Sequence, residues 1–280
     1  MAVRVWVDGR VRDAGEAALT AVDHGVTVGD GAFETAKIVD GQAFALTRHA
    51  RRLDRSLAGL GLPPADHQHL TEGIEAVLAT GAPVAFGRLR YTVTAGPAPL
   101  GSDRAEATAL TYIVTAVDQP RPPPSAAVVT VPWTRNERAA TAGLKTTSYA
   151  DNVVALGFAK ARGGAEAIFA NTRGELCEGT GSNVFVVIDG VVVTPPADSG
   201  LLEGITRALV LKWCREDGMP AEERRLPLEV LRTADEVFIT SSTRDVLPVH
   251  AVDDRPVEPG AVTARAAKVF AERSRQHLDP

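Results

Sequence analysis

Residues 166–194 read EAIFANTRGELCEGTGSNVFVVIDGVVVT. Short apolar runs alternate here with turn signals. Glu166–Ala170 and Glu175–Cys177 read as strands around an Asn171–Gly174 turn. Asn183–Ile188 and Val191–Thr194 flank Asp189-Gly190, a strong two-residue hairpin signal. No helical period separates these strands, so the stretch does not continue as βαβ units.

The same grammar extends outward. Val3–Val7, Arg88–Ala95, Leu110–Val117, Ala126–Trp133 and Glu236–Thr240 read as strands. Ala32–Val39 and Gln42–Leu46 flank Asp40-Gly41, a second hairpin signal. Helical patterns cover about Thr47–Gly59, with Thr47 a candidate N-cap, then Pro64–Thr80, Asp151–Arg162, Ile205–Asp217 and Ala261–His277. Strands and hairpins in both halves argue for an α+β fold over a Rossmann fold. Residues 118–125, DQPRPPPS, hold four prolines and suit neither a helix interior nor a central strand. They read as a domain boundary or as a stiff surface loop. The boundary reading divides the chain into 1–118, a 119–125 linker and 126–280.

Composition sets limits. At about 150 residues per domain, 280 residues suggest two domains. A net charge of −5 gives no global support to a nucleic-acid or anionic-membrane partner. Two cysteines, Cys177 and Cys214, cannot build a disulfide framework or a multi-cysteine zinc site, so no metal is expected, and they fit a reducing cytoplasm. The start, MAVRVWVDGR, lacks the long apolar run of a signal peptide. Five lysines stand among 25 arginines. Arginine cannot lose its proton in a protein, so it cannot act as an amine nucleophile. Each lysine therefore asks for a reason.

Lys160, Lys212 and Lys268 fall in amphipathic helices and Lys37 in a hairpin strand. Lys145 lies in the hydroxyl-rich TAGLKTTSY (141–149), as a surface-loop lysine or as an accessible amine nucleophile. Glu178 either starts a turn or faces a cationic ring nitrogen. Gly204-Ile205-Thr206-Arg207 opens a helix with free N–H groups and a hydroxyl, as a plain cap or as a phosphate site. Thr240-Ser241-Ser242-Thr243 is a turn or an anion cradle. Arg88 and Arg90 share one face of a strand, either solvated or facing an anionic ligand such as a carboxylate.

In this order and spacing the residues resemble the fold-type IV pyridoxal-phosphate enzymes, the class IV aminotransferases. Gly29-Asp30-Gly31-Ala32-Phe33-Glu34-Thr35 is similar to the family's G-D-G-hydrophobic-E signature. His49-Ala50-Arg51-Arg52-Leu53 resembles its H-x-x-R-L helix. Lys145 matches the Schiff-base lysine, Glu178–Phe185 the E-G-x-x-S-N-x-F motif, and Gly204–Arg207 the G-[IV]-T-R motif. Thr240–Thr243 with Pro248-Val249 is similar to the last phosphate segment.

The resemblance implies a two-domain fold with a smaller N-terminal and a larger C-terminal domain, and pyridoxal 5'-phosphate as cofactor. It assigns Lys145 to catalysis. It assigns Arg52, Ile205, Thr206, Ser242 and Thr243 to the phosphate, Glu178 to the ring nitrogen, and Tyr149 to the cofactor's surroundings. It also implies a homodimer with composite sites, and the cysteine usage above makes the expected location cytoplasmic. The substrates would be an amino donor, most simply a D-amino acid or an (R)-amine, and an α-keto acid. The family's D-amino acid enzymes trap the substrate carboxylate with a tyrosine in the G-D-G segment and an Arg/His pair after the central strand. This chain has Phe33 and Ala95–Ala98 there, so Arg90, with Arg88, is the replacement anchor, and Phe33 and Thr35 line it. The alternative is 4-amino-4-deoxychorismate lyase, whose Phe-Glu-Thr and Lys-x-x-x-Tyr patterns Phe33–Thr35 and Lys145–Tyr149 also resemble.

Overall fold

The computed structural model describes residues 3–280. It forms two compact units. The first comprises Met1–Arg121, Leu144–Tyr149 and Leu278–Pro280; the second comprises Pro122–Gly143 and Ala150–His277. The division after Arg121 falls in the proline run. Leu144–Tyr149 folds with the first unit, not with the 126–280 segment that contains it in sequence.

The first unit runs β1 (Arg4–Val7), β2 (Arg10–Arg12), the short α1 (His24–Thr27), β3 (Gly31–Val39), β4 (Gln42–Ala43), α2 (Leu46–Gly59), α3 (His67–Ala79), β5 (Phe86–Thr94) and β6 (Thr111–Asp118). Its sheet is antiparallel, in the order β2-β1-β6-β5-β3-β4. Strand alternation sends Ala32, Ala36, Ile38, Leu89, Tyr91 and Val93 to one face, where they pack with Leu53 and Leu57 of α2 and Leu70, Ile74 and Val77 of α3. Each of the large aliphatic side chains contributes roughly 1.5–3 kcal/mol of burial free energy.

The expected strand over 42–46 ends at Ala43 because α2 starts at Leu46. Thr47 is not the cap. Ala45 takes that position with left-handed backbone (φ 59°) and offers no side-chain acceptor. The carboxylate of Asp279 fills in, accepting the Thr47 N–H at 3.0 Å, where a negative charge suits the helix N-terminus. α3 begins three residues later than expected, because Asp66 caps it by accepting the His69 N–H.

The second unit runs β7 (Ala126–Arg135), α4 (Ala150–Lys160), β8 (Glu166–Asn171), β9 (Leu176–Gly179), β10 (Asn183–Ile188), β11 (Val191–Thr194), α5 (Ile205–Glu216), β12 (Ala221–Glu223), β13 (Glu236–Ser241), β14 (Asp245–Val252), β15 (Arg255–Pro256) and α6 (Ala261–Gln276). The sheet order is β12-β11-β10-β13-β14-β7-β8-β9, with β15 on β14. The pairs β11/β12, β14/β7 and β7/β8 are parallel and the rest antiparallel. Val128, Ile168, Val184, Val186, Ile239 and Val249 centre its core. One antiparallel and one mixed sheet, each packed with helices, agree with the α+β expectation. The strand β14 escapes a sequence reading because Pro248 interrupts it. Pro248 pairs with Phe238 on one side, and the pairing with β7 begins only at Val249. Among the described residues, no helix is long and apolar enough to cross a membrane.

Candidate active site

In the first unit, β3 sorts its side chains by alternation. Glu34 points to the helices; Phe33, Thr35 and Lys37 point to the opposite face. On α2 the residues His49, Arg52 and Ser56 recur on the same stripe as Leu53 and Leu57, so three polar side chains are buried with the core. Glu34 is fully buried. Its Oε1 accepts Arg52 Nε at 2.8 Å, and its Oε2 accepts Arg52 Nη2 and His49 Nδ1, each at 2.7 Å. Burial pushes the Glu34 carboxyl up, but the Arg52 guanidinium and the hydrogen bonds outweigh it and hold the pKa at about 2. Burial depresses His49 more than Glu34 raises it, so the ring is neutral and its Nδ1–H is the donor.

The segment 144–149 lies along the open edge of β3. Phe33 N–H donates to Lys145 O at 3.0 Å, and Thr147 N–H donates to Gly31 O at 2.9 Å. Lys145 N–H donates to Ser56 Oγ at 3.1 Å. This approach explains the glycine at position 29. It sits at φ +70°, and a Cβ there would stand 2.6 Å from Ser148 Oγ.

Lys145 is buried, with Nζ 3.5 Å from Tyr149 Oη and 4.4 Å from the Phe33 ring centroid. Tyr149 meets Phe33 edge-on at 5.1 Å between centroids. From the neighbouring strand β5, the Arg90 guanidinium lies 3.7 Å from the same Phe33 centroid, and its Nε donates to Thr92 Oγ1 at 3.3 Å. No carboxylate among the described residues pairs with Arg90. Thr35 is paired across the strands with Arg90, and Lys37 with the exposed Arg88. The structure thus gathers Lys145, Tyr149, Phe33, Thr35 and Arg90, with Arg88 one step further along the strand. Lys160, Lys212 and Lys268 are exposed. Lys37 is buried instead, 5.0 Å from the Phe44 ring centroid.

In the second unit, Glu178 lies within β9 rather than after a strand. Its Oε2 accepts the Leu202 N–H at 2.9 Å, and its Oε1 is 3.2 Å from Arg135 Nε. Arg135 itself stacks 4.2 Å over the Phe169 ring. The α5 N-terminus follows directly. Asn183 Nδ2 donates to Leu202 O at 2.8 Å, and a Cβ on Gly204 would stand 1.9 Å from Asn183 Oδ1, so only glycine fits. No side chain caps α5, and Thr206 is buried at its first turn. Thr240 pairs with Asn183 across β10 and β13, which places both side chains on one face. Thr240 is 1% exposed, and its hydroxyl has no partner among the described residues. Ser242, half-buried, and Thr243, buried, follow in the next turn.

Residues 31–252 match the family model described as amino-transferase class IV. The chain belongs to that family. Class IV aminotransferases use pyridoxal phosphate. The chain is 31% identical to a putative branched-chain-amino-acid aminotransferase of Methanocaldococcus jannaschii, covering 96% of each. It is 32% identical to the D-alanine aminotransferase of Bacillus licheniformis, covering 92% of each. It is also 29% identical to the aminodeoxychorismate lyase of Bacillus subtilis, covering 89% of this chain and 87% of the lyase. Among solved structures, the branched-chain aminotransferase of Thermoproteus uzoniensis superposes with a TM-score of 0.90 at 29% identity, covering 97% of this chain and 94% of that one. A Brucella abortus aminotransferase bound to pyridoxal phosphate gives 0.89 at 28%, covering 98% and 100%.

Sequence reasoning missed Glu34 as the partner of both Arg52 and His49, and Arg135 as the partner of Glu178. The signal for Glu34 was available: a charged residue in phase with the apolar positions of its strand needs a buried counter-charge.

Proposed function

We propose that this chain is a pyridoxal-phosphate-dependent transaminase that moves amino groups between α-amino acids, D-amino acids first, and α-keto acids. The observation that carries the reading is Arg90. A half-buried guanidinium with no carboxylate partner shares the Phe33 ring with Lys145, which is what a carboxylate anchor beside a reactive amine requires.

The residues present also fit the cofactor. An uncapped helix N-terminus beside an orphaned, buried Thr240 hydroxyl suits a phosphate dianion. On this reading Ile205 N–H, Thr206, Ser242 and Thr243 would hold that phosphate, and Glu178 would face the ring nitrogen. Arg52, locked by Glu34, is assigned to the same phosphate by family resemblance. The cofactor, when bound, supplies an aldehyde for amine exchange and an electron sink for the carbon that loses its proton. Lys145 Nζ would supply the amine that holds the cofactor and the general base that carries the proton. Tyr149 Oη, 3.5 Å away, is placed to hydrogen-bond that amine. Arg90 orients the substrate by its carboxylate, and Phe33 shields the guanidinium from water. Similarity to D-alanine aminotransferases supports the D-first ordering. We also propose a homodimer on family resemblance.

The test is the visible absorption of the cofactor-loaded protein with single amino donors and no acceptor. Bleaching by D-alanine or D-glutamate supports the proposal. Bleaching by L-leucine alone replaces it with a branched-chain activity. Pyruvate release from aminodeoxychorismate, with no response to amino acids, replaces it with the lyase.

A further inference from the structure

Glu166 stands at the start of β8 and exposes no surface to solvent. A carboxylate is costly to bury unless its oxygens are satisfied. Here two separate loops satisfy them. Oε1 accepts the Thr180 N–H at 3.0 Å, the Thr180 hydroxyl, and the Ala167 N–H at 3.3 Å. Oε2 accepts Ser182 Oγ at 3.1 Å and Arg244 Nη1 at 2.5 Å.

Thr180 and Ser182 belong to the bend that follows Glu178. That bend is tight: a Cβ on Gly179 would stand 2.3 Å from Ser182 Oγ and 3.1 Å from Glu166 Cγ. Arg244 belongs to the turn that carries Ser242 and Thr243. One buried carboxylate therefore joins the bend behind the ring-nitrogen acid to the turn that presents two hydroxyls.

We propose that Glu166 is a positioning residue for phosphate binding: through Arg244 it fixes the turn that presents Ser242 and Thr243. The proposal rests on the reading above that this turn and the α5 N-terminus take the cofactor phosphate. Glu166 touches no ligand itself. It acts by removing freedom from the loop, so that the hydroxyls are ordered before the phosphate arrives and less entropy is lost on binding.

Glu166→Gln isolates this effect. It keeps the volume and the Oε1 acceptor for Thr180, but turns an amide N–H₂ toward the guanidinium, where two donors meet. Arg244→Gln cuts the same link from a partly exposed side chain and serves if the Glu166 variant does not fold. The full chain is titrated with pyridoxal phosphate and with pyridoxal, which lacks the phosphate. Either variant is expected to weaken pyridoxal phosphate by about tenfold or more, the scale of one charge-assisted hydrogen bond, while pyridoxal affinity stays put. The double variant is expected to be no weaker than the worse single one. Equal weakening of both ligands, or no weakening of either, overturns the proposal and leaves Glu166 a structural residue. If the unmodified chain itself shows no preference for pyridoxal phosphate over pyridoxal, the phosphate reading falls first, and this proposal with it.

Discussion

The guanidinium carbon of Arg90 lies 3.7 Å from the centroid of the Phe33 ring, and Lys145 Nζ lies 4.4 Å from the same point. Both basic side chains lie within cation–π reach of that one ring. Arg90→Gln is therefore expected to raise KM for amino and keto acids about 10- to 100-fold, the loss of one charged hydrogen-bonding partner. An (R)-amine without a carboxylate is expected to react at an unchanged rate. Steady-state kinetics on both donors checks this; equal losses on both would falsify the anchor role.

Lys145→Ala removes the proposed general base along with the amine. Turnover is expected to fall by about 10³-fold or more, within the range of general base catalysis. The visible band of the cofactor-loaded protein should be lost or displaced. Retention of both the band and the activity would require another lysine, and the other buried one, Lys37, would be the next variant.

Glu34 carries a pH dependence whose sign can be worked out. Its pKa is about 2 in the fold against 4.5 otherwise. Burial raises it, and the Arg52 pairing overcomes that. A depressed carboxylate pKa contributes stability above the unfolded value, and that contribution is lost as pH falls from 4.5 toward 2. The amount is about 3 kcal/mol. Denaturant unfolding at pH 6 and pH 3 is expected to show a steep decline in the wild type. In Glu34→Gln the decline should be shallower, from a lower starting stability, because Arg52 is then buried without its charge partner.

Thr240→Val keeps shape and removes the unpartnered hydroxyl. Without cofactor the variant is expected to gain about 1 kcal/mol, the relief of an unsatisfied buried group. With cofactor it is expected to bind less tightly. Thermal melts with and without pyridoxal phosphate read both effects; a variant that gains stability and loses no affinity separates Thr240 from the phosphate.

Gly204→Ala places a methyl 1.9 Å from Asn183 Oδ1. Backbone must move, because Asn183 is held to Leu202 O. The start of α5 is expected to shift and cofactor affinity to fall, while Gly204→Ala with Asn183→Ala recovers part of the loss.

Local signals made much of this legible. Hairpin dipeptides located Asp40-Gly41 and Asp189-Gly190, and both form turns between strands. The scarcity of lysine singled out Lys145, and the structure puts it in a buried aromatic setting. Arg88 and Arg90 were placed on one strand face by alternation alone. What sequence hid was pairing at distance. Glu34 meets Arg52 across 18 residues, and Glu166 meets Arg244 across 78. Neither is encoded in a local pattern. The α2 N-terminus was misread for the same reason: its anion comes from Asp279, 232 residues beyond Thr47.

The strip 144–149 lies along a sheet edge of the first unit, and 278–280 return to the start of α2 in the same unit. The polypeptide is therefore interlaced rather than serial. A ribosome that has released residue 121 has not yet supplied Lys145, and Asp279, the anchor for α2, emerges later still. Cutting the gene at the proline run would not yield two self-sufficient pieces: the N-terminal fragment would lack Lys145 and the segment around it, and its complement would carry that edge segment without the strand it lies along. Fragment complementation, not independent expression, is the behaviour such a thread order dictates.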